Sequence, residues 1–107
     1  MSVYWIVLLC AVVVEICWAL SMKWVSVQPG WLSYSTVAVL TVLNIALLSW
    51  AMRGLPVGTA YAVWTGLGAV GVALLGIWLF HDPVSATRLF FIALIIVGVA
   101  GLKLASG

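Results

Sequence analysis

Apolar residues run along this chain in four long stretches, separated by three short segments where charged residues, proline and glycine gather. The first stretch extends from about Val3 to Met22 and stops at Lys23. The segment "KWVSVQPGW" then brings a charge, a Pro-Gly pair and two tryptophans together, the composition of an interfacial loop. A second stretch covers about Leu32 to Met52 and stops at "RGLP"; a third covers about Val57 to Phe80 and stops at "HDP". The fourth runs from about Ala86 to Ala105. A helix needs roughly 20 mostly apolar residues to cross a bilayer, and each stretch supplies them. The pattern predicts an all-α integral membrane protein, a single membrane domain over residues 1–107 whose four transmembrane helices form an up-down-up-down bundle.

Composition removes the alternatives. Of the 107 residues, 67% are hydrophobic and 6% charged, against about 25% charged in soluble domains. The mean hydropathy is +1.37. There is too little polar residue here to coat a water-facing exterior. A net charge of +2 without a basic tract gives no footing for nucleic acid. No nucleophile–base pair, metal cluster or cofactor motif is present, and the single histidine, His81, falls in a loop, so neither an enzyme nor a bound cofactor is expected. The first stretch lacks the charged region and cleavage site of a signal peptide and is expected to remain as a span. Cys10 and Cys17 lie seven apart on one helical face and read as small buried apolar groups.

Charge counting does not orient the chain. The ends and the second connection carry Arg53 and Lys103, while the first and third carry Lys23 and Arg88. Two against two gives the positive-inside rule nothing to act on. A chain that inserts both ways up and pairs antiparallel has this balance, and so does a chain with few charges placed at random. Four short helices also enclose little interior, so a dimer is the economical way to build a cavity.

The one glutamate, Glu15, sits midway along the first span in "VVVEICWAL". An ionisable group at that depth costs on the order of 3 kcal/mol to insert and usually faces a cavity or a partner. Lys23, Arg53 and Arg88 lie near span ends, and Lys103, close to the C-terminal end, is expected to snorkel. A carboxylate in a low-dielectric site attracts either a proton or a cation, and it cannot hold both at full strength. That is the minimum equipment for exchanging one against the other. Trp18, three residues on, projects from the same helix face. In the third span Tyr61, Trp64, Thr65 and Gly68 share a face, offering ring faces to a cation and N–H or O–H donors to a carboxylate. Asn44 is the other polar residue buried in mid-span; it can bond Glu15 or simply tie two helices together. Trp5, Trp24, Trp31, Trp50 and Trp78 read as membrane packing or interfacial anchors. Ala93, Gly98 and Gly101 in the fourth span suit helix–helix contact and are expected at a dimer interface.

Taken together, the lone glutamate in the first span, "LPVGTAYAVWTGLGAVG" through the third and "GLKL" closing the fourth resemble the small multidrug resistance transporters. The resemblance covers essentially the whole chain. "EICWALSMKW" and "YAVWTGLGA" are similar to the guanidinium exporter subtype of that family. The resemblance implies a proton-coupled antiporter in a bacterial inner membrane. Two antiparallel copies would share one pocket, their Glu15 carboxylates holding either protons or a guanidinium ion. It further implies that Trp64 holds Glu15 by a hydrogen bond, that Trp18 lines the pocket floor and that Tyr61 moves between states. Val12, one turn before Glu15, stands where the subtype commonly has glycine, and Asn44 stands where it has serine, so both bear on which substituted guanidinium ions fit. Three readings stay open: export of guanidinium and small alkylguanidinium ions, export of quaternary ammonium or polyaromatic cations, and a non-transporting subunit whose Glu15 pairs with a basic residue of a partner. A heterodimer with a paralogous chain stays open beside the homodimer.

Overall fold

The computed structural model describes residues 2–106, so Met1 and Gly107 lie outside the described residues. Its four helices are α1 (Val3–Val27), α2 (Trp31–Ala51), α3 (Val57–Phe80) and α4 (Ala86–Ser106). All four are long and apolar enough to cross a membrane. A backbone in hydrocarbon must satisfy its own N–H and C=O groups, which a helix does within the segment. The hydroxyls inside the spans follow the same logic. Ser21, Ser26, Thr36, Thr41 and Ser49 each donate back to a carbonyl three or four residues earlier in their own helix.

The boundaries follow the apolar pattern to within one residue except at one place. Helix α1 continues through Lys23 to Val27, because nothing breaks it before Pro29. Gln28, the residue before that proline, leaves the helical conformation (φ −134°, ψ 73°), and its N–H closes the helix on the Trp24 carbonyl at 2.8 Å. A span can therefore end, as a hydrophobic unit, a full turn before its helix does. Ser85 starts α4, its Oγ accepting from the Arg88 N–H at 3.1 Å.

At the end of α3, His81 holds a left-handed backbone (φ 56°, ψ 36°), and the Asp82 N–H reaches the Gly76 carbonyl at 3.2 Å. Such a helix stop is usually glycine, because a Cβ is strained there. His81→Gly is therefore expected to raise the stability of the folded chain by about 1 kcal/mol, read as a higher unfolding midpoint in detergent.

Helix α1 is the centre of the assembly, packed against both α2 and α3, while α4 lies along α3. The core at one end gathers Trp5, Leu8, Ala51, Ala60 and Val63. Trp5 is 4% exposed, so this ring packs inside the chain rather than anchoring at the interface. Lys103 Nζ lies 4.7 Å from the centre of that ring, capping it instead of reaching away. The close fit of α1 on α3 depends on glycine. A Cβ at Gly71 would strike the Ile16 side chain, and one at Gly68 would come within 2.8 Å of Glu15 Cγ.

One expectation changes. Cys10 and Cys17 are exposed, because their face of α1 points away from the side carrying Leu8 and Ala11 into the core. None of the span Ala86–Ala105 is buried within the chain, and a Cβ at Gly98 or Gly101 would meet nothing within 4 Å. The chain extends 42 × 35 × 18 Å. Its thin dimension is under two helix diameters of roughly 10–12 Å, so one chain is a slab with an open face.

Candidate functional site

Helices α1 and α2 run antiparallel, so a step of three residues forward on one meets a step of three back on the other. This register brings two pairs together. Asn44 Nδ2 on α2 donates to Glu15 Oε1 on α1 at 2.9 Å. Three residues along, Trp18 Nε1 donates to Thr41 Oγ1 at 2.8 Å. From α3, Trp64 Nε1 donates to Asn44 Oδ1 at 3.1 Å. Both ends of the amide are thus engaged, and Asn44 itself is buried.

The amide settles the two roles it had on sequence grounds by filling both: it bonds the glutamate and it joins three helices. It also changes the expected place of Trp64. The indole N–H does not reach the carboxylate; it stops at Asn44, which relays its hold to Glu15. An amide presents acceptor and donor on separate atoms and so fits between the two groups.

Beside this chain of bonds lies a cavity of about 300 Å³, at the small end of the roughly 300–1,000 Å³ common for ligand pockets. Glu15, Trp18, Asn44 and Trp64 line it, together with Thr41, Ile45, Leu48, Ser49 and Met52 from α2 and the turn after it. No lysine or arginine is among the lining groups. The wall is apolar apart from one carboxylate, one amide, two hydroxyls and two indole N–H groups. Such a wall can hold one small cation and orient it.

Other candidate residues fall around the cavity rather than in its lining. Val12 is buried one turn before Glu15. Tyr61 is 55% exposed, its ring tilted against that of Trp64 at 5.5 Å between centres. Thr65 is exposed as well. Tyr61 and Thr65 therefore stand at the open side of the chain, while Trp64 and Gly68 face inward. His81 is exposed at the end of α3, away from this site.

Thr41 and the α2 wall formed by Ile45, Leu48, Ser49 and Met52 were not singled out from the sequence. A signal existed for Thr41, Asn44 and Leu48, which recur at i, i+3 and i+7 on α2. Thr41 itself is one hydroxyl among many in these spans, and nothing in its own type marks it.

The family model for Small Multidrug Resistance protein matches residues 3–95. The chain belongs to the small multidrug resistance family. Among its relatives, a protein of Citrobacter freundii named Guanidinium exporter is 49% identical over 106 residues, spanning 95% of this chain and 97% of the relative. Relatives of the same name in Salmonella typhimurium and Salmonella typhi are 49% and 47% identical over the same shares. The chain is thus a multi-pass membrane protein of a transporter family, and the up-down-up-down arrangement of four helices is that family's architecture.

Proposed function

We propose that this chain exports guanidinium and small substituted guanidinium ions in exchange for protons, by alternating access at Glu15. The observation that carries the reading is a carboxylate lining a small cavity whose walls hold no basic side chain. The relatives' name, Guanidinium exporter, supplies the cation. Guanidinium is flat and carries N–H donors around its edge. A carboxylate held by Asn44 on one oxygen keeps acceptor capacity for that edge, and the Trp18 and Trp64 rings flank it.

In the proposed cycle two antiparallel copies close their open faces on one another and share a pocket holding both Glu15 carboxylates. Exposed Tyr61 and Thr65 support a partner at the open face, and the span Ala86–Ala105, unburied within the chain, leaves further surface for one. Protons on the two carboxylates and a cation between them exclude one another, which couples inward proton flow to outward cation flow. The proposed location is the bacterial inner membrane, and Val12 and Tyr61 complete the proposed pocket.

Gly68→Ala is expected to be folded yet at least about tenfold slower in transport, because its methyl would press on Glu15 Cγ at 2.8 Å. Initial rates per folded protein in vesicles check this. The function itself is tested in proteoliposomes holding only this chain, driven in turn by guanidinium, methylguanidinium and a quaternary ammonium. Proton-coupled currents with the guanidinium ions alone support the proposal. Equal currents with the quaternary ammonium replace it by a broader cation exporter. Silence from well-folded protein with every cation overturns transport by a homodimer.

A further inference from the structure

We infer that Thr41 is a positioning residue that sets the shape of the pocket by holding Trp18. The inference rests on the proposed site and names a determinant of its selectivity.

Glu15 and Trp18 lie on one face of α1, three residues apart, and Thr41 and Asn44 lie opposite them on α2. Each α1 group is met by one α2 group. The carboxylate receives the Asn44 amide, and the indole N–H of Trp18 is received by the Thr41 hydroxyl at 2.8 Å. That hydroxyl in turn donates its proton to the Val37 carbonyl at 2.7 Å. With its proton committed to the backbone, Thr41 Oγ1 offers only lone pairs to the cavity side, so it can take the indole and cannot compete as a donor to Glu15. The β-branch of threonine leaves few side-chain rotamers in a helix. The lock is therefore stiff at both ends.

Two consequences follow for chemistry in the cavity. Trp18 and Trp64 both have their N–H groups engaged, on Thr41 and Asn44 respectively. The rings then meet a ligand through their faces and edges, which suit a flat cation, while Glu15 is left as the group that meets its charge. Trp18 is also prevented from swinging aside, which fixes one wall of the cavity and with it the preference among cations of different shape. Rejection by a wall requires that the wall not move.

Thr41→Val keeps shape and the β-branch but removes the acceptor. The variant is expected to lose about tenfold in the ratio of guanidinium to bulkier quaternary ammonium transport, through a higher guanidinium KM and a lower quaternary ammonium KM. Thr41→Ser restores the hydroxyl and is expected to return the ratio to within about twofold of the wild type. The bond is read directly from the indole N–H proton of Trp18 by NMR, assigned through its loss in Trp18→Phe. That resonance is expected downfield in the wild type and in Thr41→Ser, and upfield in Thr41→Val. An unchanged selectivity ratio in Thr41→Val, or a ratio that Thr41→Ser fails to restore, overturns the inference. If Thr41→Val does not fold, Thr41→Ala carries the same comparison. Failure of the proposed function shows separately, as wild-type protein that moves no guanidinium; in that case the NMR shift alone decides whether Thr41 holds Trp18.

Discussion

Replacing Glu15 by glutamine is expected to abolish proton-coupled guanidinium transport while leaving the helices packed. The glutamine carbonyl occupies the place of Oε1 and still accepts from Asn44 Nδ2, so the 2.9 Å bond survives. Its size is nearly that of glutamate, so the close approach to Gly68 is unchanged. Placing a charge at the middle of a span costs on the order of 3 kcal/mol, and the neutral side chain removes that cost. The unfolding midpoint in detergent should therefore stay level or rise. What disappears is the only group lining the cavity that can carry either a negative charge or an exchangeable acidic proton. Charge-assisted hydrogen bonds contribute about 1.5–3 kcal/mol each, so losing two to a bound guanidinium weakens binding at least about 100-fold. Calorimetric or fluorescence titration of purified protein with guanidinium checks the binding. Vesicle uptake driven by a pH gradient checks the transport. A folded glutamine variant that still transports would mean that Glu15 is not the group guanidinium and protons share.

The second large effect is expected at Asn44. Its amide is the shared partner of Glu15 and Trp64, at 2.9 and 3.1 Å, and it is buried. Asn44→Leu keeps bulk but breaks both bonds at once, leaving an indole N–H and a carboxylate without their donor or acceptor in an apolar wall. Each orphaned group costs about 1–3 kcal/mol. The carboxylate then settles by turning, and its aim at the cavity is lost. The guanidinium KM should rise about 10- to 100-fold, with a smaller fall in maximal rate. Asn44→Ser is the informative comparison. A serine oxygen can accept from Trp64 and donate to Glu15, but only if the indole moves closer, since donor and acceptor are then one atom. The serine variant should transport with a KM within about threefold of the wild type and a changed preference among alkylguanidinium ions. Equal loss in the leucine and serine variants would mean that Asn44 acts through packing alone.

Most of the architecture was legible because hydrocarbon imposes so few options. The stretch Val57–Phe80 and the start of the last helix at Ala86 are the same in pattern and structure. Helix α1 ran past its hydrophobic end because Lys23 is a poor membrane residue but an ordinary helix residue, and only Pro29 stops the helix. The cysteines misled because seven-residue spacing identifies a common face without saying which way it points. In the site, Glu15 and Asn44 stood out as groups too costly to bury idly, and the structure joins them. Trp64 was expected directly on the carboxylate; the longer amide at position 44 fills that gap and turns a single bond into a relay. Thr41 was hidden for the opposite reason. A threonine that bonds back to its own helix costs the membrane little, so nothing about it announces a contact with Trp18.

Competition between guanidinium and protons for Glu15 is the heart of the proposed mechanism. The most direct measurement is the proton count on binding: guanidinium is added to purified protein in weakly buffered detergent solution, from acid to neutral pH, and released protons are read with an indicator. Guanidinium is expected to expel protons at acid pH, fewer of them as pH rises, and none from Glu15→Gln. Tight guanidinium binding that releases no protons at any pH, or release that persists in Glu15→Gln, would contradict that competition.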